Sequence, residues 1–164
     1  MEASRRGRIL LVEDENKLRV LVAEFLGGEG FEVVPAADGR EGVEHFLTRG
    51  PFDLVLLDLN LPILTGVEVC RRIKCDRPEQ PVVVCSAAVL DVEMSALRAM
   101  GVEQFLSKPY HPAELVRRLN DELRTRADRR GLSASRLESN GWRLDRPVAL
   151  PDPSQALFKQ PAID

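Results

Sequence analysis

Glu13 and Asp14 follow the apolar run Ile9-Leu10-Leu11-Val12, and Asp58 follows Leu54-Val55-Leu56-Leu57. Ser86 follows Val82-Val83-Val84-Cys85, and Lys108-Pro109 follows Phe105-Leu106-Ser107. Three carboxylates, a hydroxyl and an ammonium, gathered in one place, can hold a divalent cation, a phosphoryl group and a nucleophile. Each residue alone has a plainer reading. An Asp or Ser after an apolar run commonly caps the next helix or turns the chain, and a Lys before Pro is commonly a solvated loop charge. What sets these residues apart is that they fall at successive strand ends, in an order that brings them to one edge.

The elements that must position them can be read from the same runs. Short aliphatic runs separated by longer helical patterns are the mark of buried strands in a parallel sheet. The pattern predicts strands at 8–12, 31–35, 53–57, 81–85 and 103–107, alternating with helices at 15–28, 39–49, 66–76, 91–100 and 112–128. Leu18, Leu21, Val22, Phe25 and Leu26 give the first helix an apolar stripe, and Leu115, Val116, Leu119 and Leu123 do so for the last. Gly27-Gly28-Glu29-Gly30, Gly50-Pro51, Arg77-Pro78 and Gly101 punctuate the helices. Five strand–helix alternations predict a doubly wound α/β fold, whose ligands bind beyond the carboxyl ends of the strands.

Taken together, Glu13-Asp14, Leu57-Asp58-Leu59-Asn60-Leu61-Pro62-Ile63-Leu64-Thr65-Gly66, Ser86-Ala87-Ala88 and Phe105-Leu106-Ser107-Lys108-Pro109 resemble the motifs of a response-regulator receiver domain. This is the phosphoacceptor half of two-component signalling. The resemblance covers about residues 6–126 and implies a flavodoxin-like five-stranded parallel sheet of order 2-1-3-4-5. It implies Asp58 as the phosphorylated nucleophile and Mg²⁺ as the cofactor, held by Asp14, Asp58 and the Asn60 carbonyl, with Glu13 acting through a coordinated water. Lys108, ahead of a cis proline, would meet a phosphoryl oxygen. Ser86 and Phe105 would form a switch, the hydroxyl moving toward the phosphate and the aromatic ring into the space it leaves. A buried core ring is the plainer reading of Phe105. Asn60 and Ala88 lie where side chains influence the attacking water in dephosphorylation, and Ala88 cannot hold that water. The implied partner is a sensor histidine kinase or phosphotransfer protein, with a homodimer left open.

Composition bounds the rest. The chain has 164 residues, 44% apolar and 30% charged, with a net charge of -3. That fits one ordinary domain with a modest extension and gives no general attraction to nucleic acid or anionic membranes. Cys70, Cys75 and Cys85 have neither zinc-ligand nor redox spacing and read as reduced thiols. No signal peptide pattern precedes Ile9 and no apolar stretch nears the length of a membrane span, so a cytoplasmic protein is expected.

Beyond about Thr125 the apolar stripe fades, and Pro147, Pro151, Pro153 and Pro161 appear among scattered apolar residues. Residues 127–164 therefore read as a poorly ordered linker or tail, with a marginal hairpin around Asp145-Arg146-Pro147 as its one structured option. Trp142-Arg143-Leu144-Asp145 and Val148-Ala149-Leu150-Pro151 also resemble the opening strands of winged-helix effector domains. The competing function is thus the receiver portion of a truncated DNA-binding regulator. A metal-dependent phosphatase with an Asp nucleophile is a third; it typically carries a second Asp two residues later, where this chain has Asn60.

The segment 124–164 has eight Lys or Arg and five Asp or Glu, enough for weak, salt-sensitive phosphate contacts. It lacks the periodic apolar face that would fix a reading helix in a groove. We predict no sequence-specific DNA binding by this chain, phosphorylated or not. In an anisotropy titration at about 150 mM salt, promoter and scrambled duplexes should compete equally. A promoter preference above about tenfold, worth ~1.4 kcal/mol, would contradict this.

Overall fold

A computed structural model of the chain describes residues 6–88 and 90–139. Ten elements alternate along it: β1 (Gly7–Val12), α1 (Asn16–Gly28), β2 (Phe31–Ala36), α2 (Gly39–Arg49), β3 (Leu54–Asp58), α3 (Gly66–Asp76), β4 (Val82–Ser86), α4 (Asp91–Ala99), β5 (Gln104–Ser107) and α5 (Pro112–Ser139). The strands form one sheet of order β2-β1-β3-β4-β5, and every neighbouring pair is parallel. This is the doubly wound α/β architecture expected from the alternation. Pro35 stands exposed on the edge strand β2, where a missing N–H does least harm to the ladder.

Alternation within each strand divides the core in two. Leu10, Val12, Val55, Leu57, Val82 and Val84 pack with Phe46, Val69, Ile73 and Leu97 from α2, α3 and α4. Ile9, Leu11, Leu54, Leu56, Val83, Cys85 and Leu106 pack with Val22 and Leu26 of α1 and Leu115 and Leu119 of α5. Both faces of β3 are therefore covered, and all five of its residues are buried. On α1 the buried stripe is narrower than the sequence suggests: Leu21 is exposed, and Val22 and Leu26 carry the packing.

The loops at the carboxyl edge are held locally. Asp38 caps α2 by accepting from the Glu41 N–H at 2.8 Å, and Glu41 Oε2 accepts from the Ala37 N–H at 2.6 Å. Thr65 caps α3 through the Glu68 N–H at 3.3 Å. Between β3 and α3, Ile63 adopts φ 70°, and the Leu64 N–H donates to the Pro62 carbonyl at 2.8 Å. This is a tight turn in a region costly for a β-branched residue. At the opposite edge Asp53 Oδ2 accepts from the Arg8 N–H at 2.8 Å, and Arg126 of α5 donates to the Asp53 carbonyl at 2.8 Å.

The last helix differs from expectation. It continues to Ser139 instead of ending near residue 128. Loss of the apolar stripe removes a reason to pack but not the tendency to be helical. Residues 129–139 contain no proline, and Gly131 costs only about 1 kcal/mol relative to alanine. The chain divides into two units between Asp128 and Arg129. The proposed hairpin and most of the expected tail lie outside the described residues.

Gly66 is required by close approach. A Cβ there would stand 2.2 Å from the Asp58 carbonyl oxygen and 2.6 Å from Leu59 Cα. Helix propensity alone would make Gly66→Ala stabilising by about 1 kcal/mol; the backbone collision overrides it. We expect a loss of about 2 kcal/mol or more, read as a lower urea midpoint. An unchanged or raised midpoint would contradict this packing.

Candidate functional site

The parallel sheet carries the ends of β1, β3, β4 and β5 to one edge, and the residues picked out in the sequence meet there. Glu13 and Asp14 follow β1, Asp58 ends β3, Ser86 ends β4, and Lys108 follows β5. One carboxylate oxygen each from Glu13, Asp14 and Asp58 lies within 4.8 Å of the others. Glu13 and Asp58 are buried, and Asp14 is exposed. Among the described residues nothing hydrogen-bonds to the Asp14 carboxylate, so its oxygens are uncommitted.

Lys108 joins the other two. Its Nζ lies 2.6 Å from Glu13 Oε2 and 2.6 Å from Asp58 Oδ2, with the side chain only 16% exposed. The strand end is pinned by the Lys108 N–H donating to the Ser86 carbonyl at 2.9 Å, and the Lys108–Pro109 peptide is cis, as the resemblance implied. The Asn60 N–H donates to Asp58 Oδ1 at 3.0 Å, so both Asp58 oxygens are engaged. The Asn60 carbonyl belongs to the same turn.

Burial pushes the Glu13 carboxyl above its ordinary range. The Lys108 hydrogen bond and charge oppose that rise, and the Asp58 charge adds to it. Burial pulls Lys108 down, but the hydrogen bonds and charges of Asp58 and Glu13 outweigh it and the net shift is upward. The site thus gathers three carboxyl groups and one ammonium. Cys85 pairs with Asp58 across the β3–β4 register, and burial drives its thiol far up.

The Ser86 side chain is buried and donates to the Ala88 carbonyl at 2.7 Å. Phe105 is half-buried and packs with the α2–α4 core cluster, its ring 5.9 Å from the Arg98 guanidinium. At rest Phe105 is thus a core-flanking ring. The sequence reading missed Arg19 on α1, which donates from Nη1 to the carbonyls of Glu13 at 2.8 Å and Asp14 at 3.1 Å. An Arg on the first turn of a helix, one turn past an acidic pair, was the available signal.

The comparisons agree with this geometry. The family model described as the response regulator receiver domain matches residues 9–120. The chain belongs to the response-regulator receiver domain family. It is 34% identical over 150 residues to the alkaline phosphatase synthesis transcriptional regulatory protein SphR of Synechococcus elongatus, covering 87% of this chain and 58% of that protein. It is 36% identical over 123 residues to the DNA-binding response regulator MtrA of Mycobacterium leprae, covering 75% of this chain and 54% of that one. The chain thus spans little more than half the length of these curated relatives. Among solved structures, NtrX from Brucella abortus superposes with a TM-score of 0.72 at 34% identity, over 79% of this chain and 30% of that one. A CheY-like receiver domain from Methanospirillum hungatei gives 0.71 at 24% identity, over 74% of this chain and 97% of that one, a likeness of fold.

Removing the ammonium should expose the cost of the carboxylate cluster. Lys108→Ala leaves Glu13 and Asp58 buried without their cation, a loss of about 2–4 kcal/mol near neutral pH in metal-free buffer, somewhat below that of a fully buried pair. Lys108's own shift is upward, so its stabilisation is complete below the ordinary lysine value and fades as pH rises through the folded one. Glu13 without Lys108 rises further, and protonation at low pH relieves the repulsion. The stability gap between wild type and Lys108→Ala should therefore narrow from pH 7.5 to about pH 5, measured by urea unfolding. A gap that widens on acidification would refute the pairing.

Proposed function

We propose that the chain is a phosphorylation-controlled response regulator that receives a phosphoryl group on Asp58 from a histidine kinase or phosphotransfer protein. The observation that carries this reading is the Lys108 ammonium between the Glu13 and Asp58 carboxylates, beside the uncommitted Asp14. Phosphoryl transfer asks a protein mainly for position and charge neutralisation, and this edge offers both. An Asp58 oxygen attacks the phosphorus of a phosphohistidine donor. A P–O bond forms as the P–N bond breaks, and the electron pair leaves with the imidazole. The turn held by the Asn60 N–H fixes the carboxylate, and Lys108 turns from it toward a phosphoryl oxygen as a mobile point charge.

The donor set fits Mg²⁺. It consists of oxygens only, from carboxylates converging within 4.8 Å, one of them free among the described residues. Asp14, Asp58 and the Asn60 carbonyl would hold the ion, with Glu13 acting through water; Mg²⁺ keeps several waters, so few protein ligands suffice. When bound, it supplies charge neutralisation for the phosphoryl oxygens and the carboxylates.

For signalling, the Ser86 hydroxyl exchanges the Ala88 carbonyl for a phosphoryl oxygen, giving up a bond worth about 1 kcal/mol for a charge-assisted one. Phe105 leaves Arg98 and follows into the vacated space. Phenylalanine has no hydroxyl, so this readout is one of packing. A cytoplasmic location belongs to the same reading, which leaves a homodimer open. A second reading, the receiver portion of a longer DNA-binding regulator, draws on the names of SphR and MtrA and on the fraction of their length that the chain covers.

With Mg²⁺ and a small phosphodonor, mass spectrometry should find one base-labile phosphate, on Asp58, that is absent in Asp58→Asn. Labelling of that variant at the wild-type rate would sink the assignment. Asp14→Ala should abolish Mg²⁺ binding, whereas Lys108→Ala should bind as well or better because a competing cation is gone, yet lose the phosphorylation-driven structural change. Equal loss of Mg²⁺ binding in both would show that the roles are wrongly divided.

A further inference from the structure

Helices α2 and α3 begin under the side-chain caps of Asp38 and Thr65, but α1 does not: Glu15, which precedes it, makes no capping hydrogen bond with its side chain. The turn between β1 and α1 is held from the helix side by Arg19. Besides the bonds from Nη1 to the Glu13 and Asp14 carbonyls, Nη2 donates to Asn16 Oδ1 at 2.8 Å, and the Arg19 N–H donates to the Glu15 carbonyl at 2.8 Å. One half-buried residue thus gathers four successive residues of the turn.

Every one of these acceptors is a neutral amide oxygen. The guanidinium fixes the peptide planes of Glu13 and Asp14 and takes neither carboxylate. That matters because three carboxylates converging within 4.8 Å repel one another, and Asp14, on an exposed turn, is the member freest to swing away. A planar fork of fixed donors resists that relaxation better than a flexible ammonium.

We propose that Arg19 is a positioning residue for the cation site, holding the main chain of residues 13–14 so that Glu13 and Asp14 stay turned toward Asp58. The proposal rests on the reading of this acidic group as a Mg²⁺ site. It differs from a role in α1 stability alone, because it ties a residue that touches no cation to the affinity for one.

The test uses the full chain and the variants Arg19→Lys, Arg19→Gln and Asp14→Ala. Mg²⁺ affinity is measured by calorimetry, amide chemical shifts of residues 13–16 are followed by NMR, and thermal midpoints are recorded in chelator. Arg19→Gln should lose about tenfold in affinity, the scale seen when groups that orient metal ligands are removed. Arg19→Lys keeps the charge and helix propensity, so its midpoint should stay within about 2 °C of wild type. Its affinity should still fall, with shift changes centred on residues 13–16. Wild-type affinity in both Arg19 variants, with Asp14→Ala unable to bind, would overturn this proposal and leave the cation site standing. A fall in affinity that only tracks a fall in midpoint would also overturn it, in favour of plain helix stability. Absence of Mg²⁺ binding by the wild type would remove the cation site itself and the proposal with it.

Discussion

An ammonium wedged between two buried carboxylates is the constraint on which this edge of the molecule depends. Two like charges about 4 Å apart repel by about 4 kcal/mol at an effective dielectric of about 20. The strands leave Glu13 and Asp58 little room to part, since β1 and β3 are neighbours in register with both faces covered. Lys108 resolves the conflict from across the sheet, at sequence separations of 95 and 50 residues. The contact that makes the acidic site tolerable therefore also ties the first strand to the last. Any chemistry that draws the ammonium away disturbs both the charge balance and the closure of the sheet edge.

The fold was legible because its strands announce themselves. Runs such as Val82-Val83-Val84-Cys85 are apolar without interruption, as strands covered on both faces must be, and the polar residue at the end of each run is the one the chain presents beyond the sheet. Glu13, Asp14, Asp58, Ser86 and Lys108 could be picked out for that reason, and the sheet brings all five to one edge. The order 2-1-3-4-5 came from family resemblance; alternation alone does not fix which strand lies beside which.

What stayed hidden depends on geometry that pattern cannot carry. Arg19 drew no notice because its guanidinium binds mainly backbone carbonyls, which every residue possesses. Leu21 joined the predicted stripe by spacing, yet α1 presents a narrower face to the sheet. The positive φ of Ile63 contradicts local preference and falls in the turn that leads to Gly66, whose close approach to the Asp58 carbonyl is equally invisible in pattern. The extension of α5 to Ser139 followed propensity, where the fading of apolar residues had suggested an end.

Cys85 has a bearing on chemical fidelity. It lies beside Asp58 on the neighbouring strand, so a thiol adjoins one of the buried carboxylates. Thiols attack and oxidise as thiolates, and here burial keeps the proton on sulfur. Cys70, buried on α3, is likewise pushed up to about 11. Cys75 is the exposed thiol among the three. Among the three cysteines an alkylating reagent would accordingly meet Cys75 on α3, while burial shields the thiol that neighbours Asp58.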